Sequence, residues 1–324
     1  MIGQNRCKVA KLRMYKMLSL LNRFGRVLIR AFNQFNENRA GTQGAALSFF
    51  TVFALPPLLV LLVMVATIFL DDTIVNNWLL VQAQRGGGEL GASMVKLILD
   101  NMRRPEGSNI FAGLVSFSML VFSATNIFAS LQDILNTIWG VKVRPEVTIM
   151  RMIVARLNSF ALILALGLTV LATILLEVGL AVAQNFVTSH FEILNRIFFF
   201  QNLNRGIGFV LITMMFVAIF KFLPDVKMRW RDVLIGALFT SVSLALSRYL
   251  ISWFLSTAQL GTAYGTMGSL IIFLFWLHLN LQIMLFGAEF TEAWASEGGA
   301  PMAPKDYAIW LPGRAPKNVP PANS

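Results

Sequence analysis

Residues 256–294 read STAQLGTAYGTMGSLIIFLFWLHLNLQIMLFGAEFTEAW. Within them, 269–288 form an apolar run of 20 residues, about 30 Å of helix and enough to cross a bilayer. His278, Asn280 and Gln282 fall in the middle of that run, where hydrocarbon offers their polar atoms no partner. The segment before it, 256–267, carries no charge and holds Gly261 and Gly265. A helix that only anchors a chain needs none of these features. At 100° per residue His278, Gln282 and Glu289 share one face, while Asn280, Gly287 and Thr291 sit nearly opposite. Both faces are therefore expected to meet other helices.

Working outward, 56% of the 324 residues are hydrophobic and only 13% are charged, which excludes an ordinary soluble globule. The apolar residues gather into six windows, roughly 45–70, 110–131, 157–183, 207–223, 233–255 and 268–290. Helices satisfy their own backbone in lipid, and the alternation of a membrane β-barrel is absent. The expected fold is an all-α integral membrane protein, a six-transmembrane-helix bundle with an N-terminal amphipathic helix. It divides into a basic cytoplasmic tail over 1–40, a membrane domain over 41–296 and a Pro-rich cytoplasmic tail over 297–324. The last is expected to be disordered.

A net charge of +11 raises the question of nucleic acid, which the distribution answers. With the N-terminus placed inside, 20 Lys and Arg fall on the cytoplasmic side and six outside. That bias is the positive-inside rule with both termini cytoplasmic, and it accounts for the basicity without a nucleic-acid partner. Cys7 is the sole cysteine, so no internal disulfide forms.

Residues 12–35 carry apolar side chains at steps of three and four, interleaved with Arg13, Lys16, Arg23 and Arg30. Such a helix suits either the anionic inner leaflet, with these four as headgroup contacts, or the cytoplasmic face of the bundle. In the first span Pro56 and Pro57 predict a kink or break near the middle. Residues 71–109 form the longest outside segment, with helical spacing over 90–102. Gln132 and Asn136 lie one helical turn apart at the polar end of the second span and read as a solvated helix end. Arg248 is the intramembrane arginine; it either snorkels to the outer headgroups or pairs with Glu177 of the third span.

Several stretches together resemble the YihY/virulence factor BrkB family of bacterial inner-membrane proteins. They are GAALSFFTVFALPPLL (44–59), NIFASLQDILNTIWGV (126–141), LPDVKMRWRDVLIGAL (223–238) and AYGTMGSLIIFLFWLHLNLQIMLFGAEFTEAWA (263–295). The resemblance covers about 20–296, and ALPP departs from the serine and single proline frequent there. It implies six inner-membrane spans. Relatives are associated with serum resistance, with export of lipopolysaccharide precursors and with the older label ribonuclease BN.

That last label is testable on residues. The chain has two histidines, His190 and His278, no H-x-E, no C-x-x-C and no cytoplasmic aspartate cluster, since Asp225 and Asp232 flank a basic stretch. No enzyme activity, metal or cofactor is expected. The function expected instead is a transporter or flippase for a lipid-linked or amphipathic envelope substrate. His278, Asn280, Gln282, Glu289, Pro56 and Pro57 are its candidate pathway. The alternative is a non-transporting scaffold for envelope assembly, in which inter-helix hydrogen bonds of roughly 1 kcal/mol explain the same residues. Membrane lipids, a second copy or an envelope protein are the expected partners.

Overall fold

The structure is a computed structural model that describes residues 22–67, 71–102, 118, 126–144, 197–257, 268–298 and 302–314. Among these the chain forms α1 (residues 22–37), α2 (Ala40–Ala66), α3 (Asp72–Met102), α4 (residues 126–138), α5 (Ile197–Phe222), α6 (Trp230–Thr257) and α7 (Gly268–Glu297). Four short strands join them: β1 (Val141–Val143), β2 (Val226–Lys227), β3 (Ala303–Pro304) and β4 (Ala308–Trp310). The windows at 157–183 and most of 110–131 lie outside the described residues.

The stretch 268–297 is the axis of the bundle, packing on α6, α2 and α3. Its two faces meet different neighbours, as their polar residues require. Gly287 and Thr291 cross α6 at Gly236 and Thr240. Gln282 and Leu285 lie against Gly44 of α2. The largest buried cluster joins Leu47, Leu135, Ile138, Trp139, Phe216, Phe220 and Leu285, so α2, α4, α5 and α7 share one core. α6 leaves Leu234, Leu238, Val242 and Leu246 exposed at steps of four, the stripe that a helix presents to hydrocarbon.

Two helices among the described residues, Trp230–Ile251 and Phe273–Glu297, are long and apolar enough to cross a membrane, and Gly206–Phe222 is a shorter apolar helix.

Two expectations change. Of the kink or break expected at Pro56 and Pro57, the break is absent, since α2 is one helix through both. Neighbouring helices make such prolines tolerable in a membrane bundle. α3 runs unbroken through Gly86, Gly87 and Gly88, where each glycine costs about 1 kcal/mol of helix propensity. Asp71 starts it, accepting bonds from Thr73 N at 3.2 Å and Thr73 Oγ1 at 3.0 Å. Burial of Val75, Leu79 and Leu99 against Val63 of α2 holds it.

The second change concerns the C-terminal tail. Residues 303–304 and 308–310, expected to be disordered in an all-α protein, form strands instead. β4 pairs antiparallel with β1, with Lys142 opposite Ile309, and β3 pairs antiparallel with β2, with Val226 opposite Pro304. The loops after α4 and after α5 each present an open edge, and the tail fills both.

Candidate functional site

Two polar clusters and one cleft lie at the end of the bundle where the tail docks. Asp225 centres the first cluster. Pro224 has no N–H to continue α5, so the chain bends over 223–225 and turns Asp225 inward. The carboxylate is 1% exposed. It accepts from Asn136 Nδ2 at 2.9 Å, from Gln132 Nε2 at 3.3 Å and from Tyr307 Oη at 2.8 Å, and Lys305 Nζ stands 3.7 Å away. The backbone closes the ring: Asp225 N donates to Asn136 Oδ1 at 2.8 Å, and Lys305 N donates to Asp225 O at 2.9 Å. Burial, then the bond to Asp225 and its charge, push the Tyr307 phenol well above its ordinary pKa, so it stays a donor. Burial lowers the Lys305 ammonium, and Asp225 partly offsets that.

Gln132 and Asn136 are thus not a solvated helix end. They are two donors, one turn apart, gripping a buried carboxylate from another loop. Their spacing was the available signal; Asp225, 89 residues from Asn136, carried none of its own.

The second cluster is built on Glu289, which is fully buried in α7. Asn38 Nδ2 donates to its Oε1 at 2.6 Å, and Arg314 Nη2 donates to Asn38 Oδ1 at 2.5 Å. Arg314 reaches Asn38 by crossing Gly140, whose φ of +66° ends α4. A Cβ there would stand 3.0 Å from the Arg314 stem, so only glycine meets both demands. One arginine of the tail therefore meets the turn after α1 and the turn after α4, and reaches Glu289 of α7 through Asn38.

α1 packs on α7 through Val27 and Ala31 against Phe290 and Ala293. Arg23 stacks 4.2 Å over the Trp294 ring and donates to Trp294 O at 3.1 Å. Arg30 stands 3.4 Å from Glu292, which also accepts from Gln34 at 2.8 Å, and Arg26 pairs with Glu297 at 2.5 Å. Of the four basic residues singled out in the sequence, Arg23 and Arg30 are thus engaged with α7. Arg13 and Lys16 lie outside the described residues.

The predicted pathway divides. His278 and Gln282 bond to each other at 2.5 Å, with Gln282 wedged against Gly41 and Gly44 of α2. Asn280 turns back on its own helix, donating to Trp276 O at 2.6 Å. Gly44 lies about 12 Å along α2 from Val52, the first of the carbonyls that Pro56 and Pro57 free, so Gln282 supplies no donor there. Arg248 is exposed on α6 and, among the described residues, pairs with no carboxylate; Glu177 lies outside them.

The cleft lies between α2 and α4 and measures about 290 Å³. Gln43, Ala46, Leu47 and Phe50 form one wall and Ser130, Asp133, Ile134 and Thr137 the other. Gln43 Oε1 is buried and accepts no hydrogen bond among the described residues.

The family model for Virulence factor BrkB matches residues 31–308. The chain belongs to that family. The match takes in the Asp225 cluster and the α2–α4 cleft, while Arg23, Arg26, Val27 and Arg30 of α1 and Arg314 of the tail lie outside it. Curated relatives include a UPF0761 membrane protein of Methylibium petroleiphilum, 27% identical over 79% of this chain and 59% of the relative. A UPF0761 membrane protein of Glaesserella parasuis is 24% identical over 63% of this chain and 67% of that protein. A Bacillus subtilis protein named ribonuclease-like protein YfkH is 24% identical over 80% of this chain and 91% of its own length. The chain spans about three-fifths of the length of several UPF0761 relatives, 59% in that from Delftia acidovorans. No solved structure matches. With its apolar helices, this BrkB-family chain is a membrane protein.

Proposed function

We propose that this chain spans the bacterial inner membrane six times, with both termini cytoplasmic, and moves an amphipathic, lipid-linked envelope substrate between leaflets. The carrying observation is the α2–α4 cleft, whose walls are polar and apolar in order. Gln43, Asp133 and Thr137 lie toward the tail end, while Leu47 and Phe50 lie deeper along α2, with Ser130 at the deeper end of the α4 wall. A headgroup matches the first set and a lipid chain the second. Among the described residues no three His, Cys, Asp or Glu side chains are grouped to hold a metal. The reading assigns this chain no hydrolytic role; the ribonuclease-like name belongs to the Bacillus relative.

One observation favours a scaffold instead. The polar groups of α7 are largely bonded within the protein, Asn280 to Trp276, Gln282 to His278 and Glu289 to Asn38. Reconstitution separates the two. Full-length protein in vesicles should speed the leaflet exchange of a short-chain fluorescent glycolipid, read by an impermeant quencher. Gln43→Trp, which fills the cleft, should slow that exchange about tenfold, or about 1.4 kcal/mol of barrier, with helix content unchanged. No exchange by the parent protein would leave the scaffold.

Topology has its own test, motivated by the 20-to-six split of basic residues. In a Cys7→Ser background, single cysteines at Gly87, Asn202 and Gly261 should react with an impermeant thiol reagent from outside. Cysteines at Val143 and Met228 should not, and the reverse pattern would invert the orientation.

A further inference from the structure

We propose that the α2–α4 cleft is a site for an amphiphile whose headgroup carries a primary ammonium, with Asp133 as its counter-ion. The assignment rests on the transport reading for its purpose but on the wall chemistry for its specificity.

Among the described residues Asp133 is the single charged side chain lining the cleft, and neither Lys nor Arg lines it. Among the described residues its carboxylate takes part in no hydrogen bond or ion pair. The Ser130 hydroxyl and the Gln43 amide nitrogen can donate from the walls, but the polar oxygens nearest the carboxylate offer lone pairs. Thr137 Oγ1 spends its hydrogen on Asp133 O at 2.9 Å, which leaves that hydroxyl an acceptor toward the cleft. Gln43 Oε1 is a buried acceptor without a donor among the described residues. A carboxylate with these two acceptors beside it suits a ligand with several donors and positive charge. An ammonium has three N–H groups and no acceptor, so it fits; a phosphate or carboxylate headgroup brings more acceptors and is repelled.

Electrostatics points the same way. Desolvation against the wall, and then the charge of Asp225, raise the Asp133 carboxyl above its ordinary pKa. A cation bound beside it would favour the ionised carboxylate and so act against both. The apolar residues supply the rest of the ligand class. Ala46, Leu47 and Phe50 follow Gln43 along α2, and Phe50 is exposed, so a ligand held at Asp133 lays its tail along that helix toward the bilayer interior.

Native mass spectrometry of the full-length protein offered single lipids tests this. Phosphatidylethanolamine should be retained about tenfold more than phosphatidylcholine, whose trimethylated nitrogen has no N–H, and more than phosphatidylglycerol, which has no cation. Asp133→Asn should erase that preference and Asp133→Glu should restore most of it. Thr137→Val gives a second variant, with a smaller loss, should Asp133→Asn fail to accumulate. Free ethanolamine should not be retained, since the tail supplies the apolar half. Equal retention of the three lipids, a preference for phosphatidylglycerol, or an Asp133→Asn protein that still prefers the ethanolamine lipid would overturn the assignment. Headgroup preference without leaflet exchange keeps this site and removes transport. Exchange without headgroup preference does the opposite.

Discussion

Asp225→Ala should cost about 4 kcal/mol of stability, measured as thermal or SDS-induced unfolding of the detergent-purified protein. The substitution removes one carboxylate but strands three side-chain donors, Asn136 Nδ2, Gln132 Nε2 and the Tyr307 hydroxyl, around a site that is 1% exposed. An unmet buried donor costs about 1–3 kcal/mol, and the three are coupled, so their losses do not simply add. The Lys305 ammonium also loses its counter-ion at 3.7 Å. Asp225→Asn keeps one acceptor oxygen and the size of the side chain, so it should fall between parent and alanine. Tyr307→Phe, which removes a single donor along with its bond, should cost only about 1 kcal/mol. The order tyrosine, asparagine, alanine is the signature of a hub. Three equal and small losses would mean that the tail strands, not the carboxylate, hold the two loops.

Polar residues in the apolar background of 268–290 demand partners, which is why other helices were expected on both faces, and Gln282, Gly287 and Thr291 do meet them. The periodicity separated Gln282 and Glu289 from Gly287 and Thr291, and the structure gives those faces to α2 and α6 respectively. Depth was harder. The register of α7 on α2 is fixed by the fit of Gln282 against Gly41 and Gly44, a contact between distant segments. The docked tail had no local signal at all. Residues 302–314 hold proline, glycine and charge, which read as loop, and they become strands only because β1 and β2 offer edges. Likewise the basic stripe of α1 looked the same whether it faced lipid or protein. Glu292, Glu297 and Trp294 decide its partner, and they lie more than 250 residues away. In the cleft, Gln43 and Asp133 are ordinary polar helix residues in sequence. Only their meeting across α2 and α4 gives them chemistry.

The crossing of α6 and α7 should be the least tolerant point in the membrane core. Gly236 and Thr240 on one helix face Gly287 and Thr291 on the other in a reciprocal arrangement. A Cβ at Gly236 would stand 2.7 Å from Thr291 Cβ, and one at Gly287 would stand 2.8 Å from Thr240 Cβ. Each threonine fills the notch of the opposite glycine and ties its hydroxyl to its own helix, Thr240 to Gly236 O at 2.8 Å and Thr291 to Gly287 O at 2.6 Å. The hydroxyls thus need no partner across the interface, and the backbones approach as closely as the notches allow. Gly287→Leu has no rotamer that avoids Thr240, so the helices must separate and much of their packing is lost. Overpacking of this kind costs about 1–3 kcal/mol in a core that can yield, and two backbones in contact should place it at or beyond the upper end. Gly287→Ala should show a smaller loss, and Thr240→Gly a loss from the emptied notch. The reciprocal geometry then makes a sharper demand. Gly287→Ala with Thr240→Gly restores a bump facing a hole, so the double variant should be more stable than the sum of its two parts by about 1 kcal/mol or more. Gly287→Ala with Thr291→Gly, which pairs a bump with a hole at the wrong site, should show no such recovery. Equal recovery in both pairs, read from the same melting curves, would refute the notch-by-notch fit of α6 on α7.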